Sequence, residues 1–406
     1  MSSYYILLLF CLLRPLLSMS ILVNVSFGGM SLGEITSVVF SYIFIMIAVT
    51  KYNKIRMDSI SILILFFCFY LLIAGSWGGG FKEIARLILP FSAFFVARIA
   101  TNSEKQVKTI YLCLVISFIV PVIASTITTL RGQGIEMVVF QTGLARYMGV
   151  FTGPHAIAHS MFICLLALVL YDHFRAWEGN RSFVITISLA VLGVLAIFNL
   201  YKSYTRNVYI GFAAFLFFYL WGRRKYKLVG LTSVVLLGVV LFSSSFRDIF
   251  FDVYDPLEGK TQNVNEMGSG RIGGWGSMLS SFHNAPIVDQ IRGLGISAQT
   301  TITSGAYFGG AHNDFLSIIL CFGYLGMVIY LSLYLTLIIK VMIADTDRSY
   351  KTIIIGFIVA VSMMNLLSNS YLTRFELAQY FNMSLGMFFG LSDRNKIRNS
   401  ELLLEA

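Results

Sequence analysis

Arg206 lies in the segment Lys202-Ser-Tyr-Thr-Arg206-Asn, at the boundary between two apolar stretches. An arginine at the edge of a membrane span needs a counter-charge or water around it. A guanidinium can hold a phosphate through two parallel hydrogen bonds, a geometry that lysine does not provide. Arg206 is therefore a candidate phosphate-binding residue, and snorkelling towards lipid headgroups is the alternative explanation.

A second candidate is the segment Ser269-Gly-Arg271-Ile-Gly-Gly-Trp275. Glycines beside an arginine let the backbone approach a ligand closely. Arg271 is therefore a candidate anion-binding residue. The ring of Trp275 could stack on a sugar, or it could pack this loop onto the rest of the protein.

A third candidate is Ala311-His312-Asn313-Asp314, which follows a glycine-rich stretch and precedes an apolar run. The pKa of histidine lies near neutrality, so His312 could accept a proton from a sugar hydroxyl. Asn313 could orient the histidine or hold a hydroxyl. Asp314 is the rival base, and capping of the following helix is the structural alternative for His312.

Arg146 and Arg374 are two further cations that could bind an anionic substrate. His155 and His159 are four residues apart and share one face of a helix. Because a metal site needs at least a third ligand and no HExxH motif is present, we expect this pair to line the site or to pack, and we predict no metal. The five cysteines lie in apolar runs without a CxxC pair, so we expect no disulfide.

The elements that must position these residues are transmembrane helices. The 406 residues are 57% hydrophobic and 12% charged, about half the charged fraction of a soluble protein. Uninterrupted apolar runs match the thickness of a bilayer core. We predict an all-α polytopic protein, a single membrane domain over 1–406 with about twelve spans, at 4–23, 33–50, 59–75, 84–100, 108–128, 155–171, 182–200, 207–221, 228–246, 314–340, 352–368 and 377–391.

Arg14-Pro15 interrupts the first apolar stretch and no basic residue precedes it, so we expect a retained helix rather than a cleaved signal peptide. Arg14 is also the charge nearest the middle of a span, and Glu34 across the following turn is its expected partner.

The loop charges predict the orientation. Eighteen lysines and arginines fall in one set of short segments, and ten fall in the opposite set. By the positive-inside rule both termini are cytoplasmic, and the longest loop, 246–311, is periplasmic. The same rule accounts for most of the net charge of +10, so we expect no nucleic-acid partner. The basic segments are 51–56, 98–108, 175–181, 223–227, 340–351 and 394–398.

Taken in order, five motifs between Lys202 and Tyr330 resemble the bacterial O-antigen ligase and polymerase superfamily, which includes the Wzy-type polysaccharide polymerases. They are Thr205-Arg206, Ser269-Gly-Arg271 with Trp275, Arg292-Gly-Leu-Gly295, Ala311-His312-Asn313 and Gly323-Tyr-Leu-Gly326. The set is more specific than any single motif, and the first half of the chain is similar to the family in hydropathy only.

The resemblance implies a GT-C-like membrane fold and a bacterial inner-membrane enzyme that transfers sugars from undecaprenyl pyrophosphate on the periplasmic face. Arg206 matches the essential arginine of a short periplasmic turn, Arg271 the arginine of the long loop, and His312 the histidine after it. The implied reaction needs no cofactor or metal, and a chain-length regulator is a candidate partner.

Ligases carry Asn, Thr or Tyr three residues after the glycine that corresponds to Gly323, whereas this chain has Gly326. This departure favours a polymerase of lipid-linked oligosaccharides, such as O-antigen, over a ligase that transfers the chain to the lipid A core. A flippase or transporter would place ionisable residues near the bilayer midplane. A peptidoglycan polymerase of the shape, elongation, division and sporulation type would instead use a loop aspartate.

Overall fold

The structure is a computed structural model and describes residues 2–19, 26–27, 30–75, 81–138, 145–177, 182–242, 271–296, 311–368 and 375–405. Most of this chain is helical. The helices are α1 (Ser3–Leu17), α2 (Leu32–Thr50), α3 (Ser59–Gly75), α4 (Phe81–Ile88), α5 (Ser92–Ala100), α6 (Glu104–Leu130), α7 (Pro154–Trp177), α8 (Phe183–Lys202), α9 (Arg206–Gly222), α10 (Tyr226–Phe242), α11 (Arg271–His283), α12 (Ile287–Arg292), α13 (Asp314–Ile343), α14 (Arg348–Leu367) and α15 (Phe375–Glu405).

Two antiparallel hairpins depart from the all-α prediction. The first pairs β1 (Ser26–Phe27) with β2 (Met30–Ser31). The second pairs β3 (Ile135–Val138) with β4 (Ala145–Tyr147), in which Arg146 lies opposite Met137. Hydropathy could not reveal them, because they are short and lie between apolar stretches rather than inside them.

Five helices of the described chain are long and apolar enough to cross a bilayer, and three shorter apolar helices accompany them. The chain is therefore a helical membrane protein, while the number of twelve spans and the GT-C-like fold stay predictions. The long helices are Glu104–Leu130, Pro154–Ala176, Phe183–Lys202, Asp314–Ile343 and Arg348–Leu367, and the shorter ones are Ser3–Leu17, Ile35–Thr50 and Ser59–Ala74.

The span predicted at 84–100 is divided into two helices. A 3-10 turn, Leu89–Phe91, separates α4 from α5 and contains Pro90. Proline has no N–H to donate to the preceding turn and its ring collides with it, so a continuous α-helix is broken at this point.

Glycines let α5 and α15 approach closely. A Cβ added to Gly386 would lie 2.9 Å from the Cβ of Ala97, and one added to Gly390 would lie 2.6 Å from the carbonyl oxygen of Arg98. Two small residues four positions apart are typical of tightly packed membrane helices. This contact fixes α15 against the centre of the bundle.

Arg14 is buried but charge-paired. Its Nη2 lies 2.7 Å from Oε1 of Glu376 on α15, and its Nη1 donates to Ser18 at 3.0 Å. Among the described residues, the carboxylate partner of Arg14 is thus Glu376. The side chain of Glu34, the partner predicted from the sequence, lies outside the described part. A buried guanidinium requires such partners, because an unpaired charge in the bundle would be strongly destabilising.

Helix α13 is sharply bent at Gly323, where φ is 66° and ψ is −170°. The ring centroids of Phe315 and Tyr330 are 5.7 Å apart, whereas fifteen residues of a continuous helix would separate them by about 22 Å. The first arm, 314–322, therefore folds back beside the second arm, 324–343. The span predicted over 314–340 is therefore interrupted at Gly323, and the second arm alone is about as long as a bilayer-crossing helix needs to be.

The bend is held by the segment that follows α12. Leu294 N–H donates to the Leu320 carbonyl at 2.8 Å, and Gly295 N–H donates to the Cys321 carbonyl at 3.1 Å. The Tyr70 hydroxyl donates to the Phe322 carbonyl at 2.6 Å. These carbonyls end the first arm and would otherwise lack helical partners.

The two sides of this junction leave no room for side chains. A Cβ added to Gly323 would lie 2.5 Å from the Gly293 nitrogen. Gly293 itself has a φ of 90° and faces the backbone of Cys321. The two glycine motifs noted in the sequence, at 292–295 and 323–326, are therefore two halves of one contact.

Candidate active site

Arg206 is the first residue of α9, directly after a tight turn. Thr205, the residue before the helix, is buried, and its hydroxyl donates to the Pro154 carbonyl at 3.2 Å. Tyr204 has a positive φ of 47°, a conformation that is uncommon for a residue with a side chain. The turn is thus fixed against the start of α7, and Arg206 is held at a defined position.

Cations and tyrosines surround this turn. The Lys202 amino group lies 5.9 Å from the ring centroids of Tyr147 and Tyr201. Arg146 on β4 interacts electrostatically with Tyr209 on α9. The second hairpin therefore brings Arg146 to the same corner as Lys202 and the helix that Arg206 begins, as expected if all three contribute to one electropositive region.

Tyr204 remains a hydrogen-bond donor over the physiological range. Burial, followed by the neighbouring Tyr201, raises the pKa of Tyr204 to about 12. A protonated phenol beside lysine and arginine side chains can donate to a phosphate oxygen without adding a negative charge. The corner, which we call the arginine corner (Arg146, Lys202, Tyr204 and Arg206), is suited to anion binding.

His155 and His159 lie in the first turns of α7 and share one face, as predicted. Their ring centroids are 6.5 Å apart, and Nδ1 of His159 lies 2.7 Å from the His155 carbonyl oxygen. Among the described residues, no group of three His, Cys, Asp or Glu side chains is placed to hold a metal ion. Since Pro154 accepts from Thr205, this pair borders the arginine corner.

His312 lies two residues before the first arm of α13 and has a positive φ of 48°. Non-glycine residues in this region cost of order 1 kcal/mol or more, and they concentrate at functional sites. Trp275 donates from Nε1 to the adjacent Ala311 carbonyl at 2.7 Å. Trp275 therefore packs α11 against the backbone beside His312, which is the structural role considered for it.

Asn313 caps the helix that His312 precedes. Its Oδ1 accepts from the Leu316 N–H at 3.0 Å, and its carbonyl accepts from the Ser317 hydroxyl at 2.9 Å. The helix cap is thus Asn313 rather than His312. With Oδ1 occupied, only the amide N–H₂ of Asn313 is suited to hold a sugar oxygen. Asp314 is fully buried in the first helical turn.

Arg271 is the first residue of α11, one helical turn before Trp275. Residues four apart share a helix face, so Arg271 and Trp275 occupy the same face of α11. The Arg271 side chain, like Arg374 and residues 243–270 and 297–310, lies outside the described part. The group Arg271, Trp275, His312, Asn313 and Asp314 is called the histidine arm below.

Helix α14 packs against α9, which Arg206 begins, and against the second arm of α13. Met364 lies against Gly211 of α9, where an added Cβ would be 2.7 Å from Met364 Cγ. The next residue, Asn365, donates to the hydroxyls of Tyr330 and Tyr334 at 3.2 and 3.1 Å. Tyr330 in turn contacts Phe315 in the first arm of α13.

Asn365 was not among the residues predicted from the sequence, although an amide within an apolar span is a detectable signal, and the structure shows that it is fully buried. The tyrosines in and beside the arginine corner, Tyr204, Tyr147 and Tyr201, were likewise not predicted from the sequence. Single tyrosines at membrane boundaries are common, so their spacing alone does not indicate a site.

Residues 189–331 match a family model described as O-antigen ligase. No protein of curated function matches the chain. The matched segment runs from within α8 to within α13 and includes all of α9, α10, α11 and α12, and therefore contains Arg206, Arg271, Trp275 and His312. The match confirms that this region resembles the O-antigen ligase and polymerase superfamily, a family of membrane glycosyltransferase-like enzymes.

Proposed function

We propose that this protein polymerises undecaprenyl-pyrophosphate-linked oligosaccharide repeats on the periplasmic face of the bacterial inner membrane. The observation that supports the proposal is that α14 packs against both α9, which begins at Arg206 in an electropositive corner, and α13, which follows His312 with its positive φ. Both lie in or beside the segment that matches the family model. Both termini would then be cytoplasmic, and a chain-length regulator is a candidate partner.

In the proposed reaction an acceptor sugar hydroxyl attacks the anomeric carbon of the donor. The new glycosidic bond forms as the bond to the pyrophosphate oxygen breaks, and undecaprenyl pyrophosphate leaves. Arg206, with Arg146 and Arg271, stabilises the charge that develops on the leaving phosphate. His312 accepts the hydroxyl proton. Because the donor is already activated and the leaving group is neutralised by arginines, the reaction requires no metal.

The surface near the bend of α13 suits a donor with a long apolar chain. Ile287, Val288 and Ile291 of α12 are exposed, and so are Leu325 and Val328 on the second arm of α13. Gly293, directly after α12, contacts Gly323 at the bend. This exposed apolar strip supports a path along which the polyprenyl chain remains in the bilayer while its pyrophosphate reaches the site.

The phosphate-binding role is tested with Arg206→Lys and Arg206→Ala. Both variants should lose most polymer, because bidentate geometry rather than charge is required. Arg131→Lys, at an exposed outer-face arginine, is the matched control and should retain wild-type product. All variants should accumulate normally in the membrane. Near wild-type product from Arg206→Lys contradicts the role and favours snorkelling.

The role of His312 as the general base is tested by comparing the activity of His312→Ala with that of His283→Ala. His283 is exposed in α11, with Nε2 3.0 Å from the Tyr324 hydroxyl, and its loss should be mild. Activity of the purified enzyme should persist in chelator. If chelator abolishes activity and an added metal restores it, His155 and His159 become candidate ligands. Equal loss from both histidine variants contradicts the specific role of His312.

A ligase is the second candidate function, because the description of the matching model favours it. The two enzymes differ in the acceptor, a second lipid-linked repeat or a lipid A core sugar. In a host that makes lipopolysaccharide, loss of a polymerase should leave cores capped by a single repeat, visible on a polysaccharide gel. Bare cores with stranded long chains would indicate a ligase, and unchanged polysaccharide would contradict both functions.

A further inference from the structure

A charged concavity lies at the opposite end of the bundle, among the short basic loops. It is a cavity of about 750 Å³ between the start of α1, the α2–α3 connection, the end of α5 and the last turns of α15. Six of its lining residues are cations: Lys51, Lys54, Arg56, Arg98, Arg394 and Lys396. The positive-inside rule explains why basic residues occur in these loops, but not why they converge on one concave surface.

Two of these cations are neutralised within the protein. Arg98 is buried and donates to both carboxylate oxygens of Asp58, at 3.0 and 2.9 Å, and to Asp393 at 2.8 Å. Arg56 donates to the other oxygen of Asp393 at 2.8 Å. This network forms the rigid wall of the cavity, and Asp393 is its only acidic lining residue among those described.

The other four cations lack such compensation. Within the described chain, no carboxylate lies within ion-pair distance of Lys51, Lys54, Arg394 or Lys396. Four positive charges around one cavity repel each other, so they favour an anion that enters it. A bound phosphate group would relieve this repulsion.

The start of α1 adds hydrogen-bond donors. Ser2, Ser3 and Tyr4 line the cavity, and the side chain of Ser2 makes no capping hydrogen bond to the helix. The first N–H groups of a helix have no intrahelical acceptor, and the helix dipole places partial positive charge there. Uncapped N–H groups and nearby lysines are a typical arrangement for binding phosphate.

Exposed apolar side chains lie at and beside the rim of the cavity. A free inorganic anion would make no use of them. Ile397, a lining residue, is 47% exposed, and Tyr52 and Met57, in the same connection as Lys54 and Arg56, are 74% and 58% exposed. We propose that this cavity is a binding site for the phosphate headgroup of an anionic phospholipid, with the acyl chains against this rim. Basic pockets at the cytoplasmic ends of helices suit such lipids.

The test uses the full chain purified in detergent, with thermal unfolding measured as phosphatidylglycerol, phosphatidylcholine or inorganic phosphate is added. The variant Lys54→Ala/Lys396→Ala removes two exposed cations and leaves the Arg98 network intact. The control Lys225→Ala/Lys227→Ala removes two exposed lysines from another basic loop, outside the cavity.

Phosphatidylglycerol should raise the melting temperature of the wild type and of the control, and phosphatidylcholine should not. The cavity variant should need about thirtyfold more phosphatidylglycerol, the loss expected for two lysines near a headgroup. An equal response to inorganic phosphate would support the phosphate site and overturn its assignment to a lipid. Equal responses of the two double variants, or no response of the wild type, would overturn the site itself.

Discussion

Replacement of Gly323 by alanine tests the bend that positions His312. At φ 66° and ψ −170° the backbone is in a region that is essentially restricted to glycine. A non-glycine residue there costs roughly 1–3 kcal/mol in backbone strain. The new methyl would also lie 2.5 Å from the Gly293 nitrogen, inside contact distance of backbone that cannot rotate away.

The steric cost can be estimated from substitutions that insert an extra carbon into a well-packed core. Such substitutions lower the free energy of unfolding by roughly 1–3 kcal/mol. If the Gly293 segment moves to relieve the overlap, it loses the hydrogen bonds from Leu294 and Gly295 to the ends of the first arm. Each is worth about 1 kcal/mol, and the freed carbonyls would be left unpaired. By either route we expect Gly323→Ala to lower the free energy of unfolding by roughly 2–6 kcal/mol.

The assay is thermal unfolding of the purified protein in detergent, followed by the fluorescence of its four tryptophans. The matched control is Gly276→Ala in α11, where an added Cβ meets nothing within 4 Å. Alanine is favoured over glycine in a helix by about 1 kcal/mol, so this control should be neutral or slightly stabilising. If Gly323→Ala unfolds at the wild-type temperature and retains activity, the bend is not built as described.

Three further predictions concern other parts of the molecule. A short bifunctional thiol reagent should join the double variant Phe315→Cys/Tyr330→Cys, whose ring centroids are 5.7 Å apart; a continuous helix would hold these positions about 22 Å apart and prevent it. Burial opposes ionisation of Asp58, but hydrogen bonds and charge from Arg98 outweigh this and lower its pKa. The resulting stabilisation is complete above the ordinary aspartate pKa of about 4 and is lost as the pH falls through the lowered value. Asp58→Asn should therefore unfold earlier than wild type at pH 7, with the difference shrinking at pH values below about 4; a constant difference across this range contradicts the pairing. A cysteine at Lys260 should react with a membrane-impermeant thiol reagent in intact spheroplasts, and labelling only after permeabilisation would contradict a periplasmic loop.

Much of the architecture followed from composition and hydropathy. Apolar length identifies helices that can cross a bilayer, because backbone groups in lipid must be satisfied within each segment. The helices found at 59–75, 183–202 and 206–222 agree closely with the predicted spans. Motif order also sufficed to find the family region, since Arg206, Arg271 and His312 occur at recognisable intervals.

The contacts between these segments were determined only by the tertiary structure. The sequence contains the glycines at 293 and 323, but their meaning appears only when a separate segment supplies hydrogen bonds to the broken helix. Arg14 pairs with Glu376, 362 positions away in the sequence. Hydropathy reflects the free energy of transferring each segment into lipid. The glycine contact and the Arg14 ion pair depend instead on which segments become neighbours in the fold. For the same reason the sequence alone indicated the basic loops, and only the fold brought six of their cations together around one cavity.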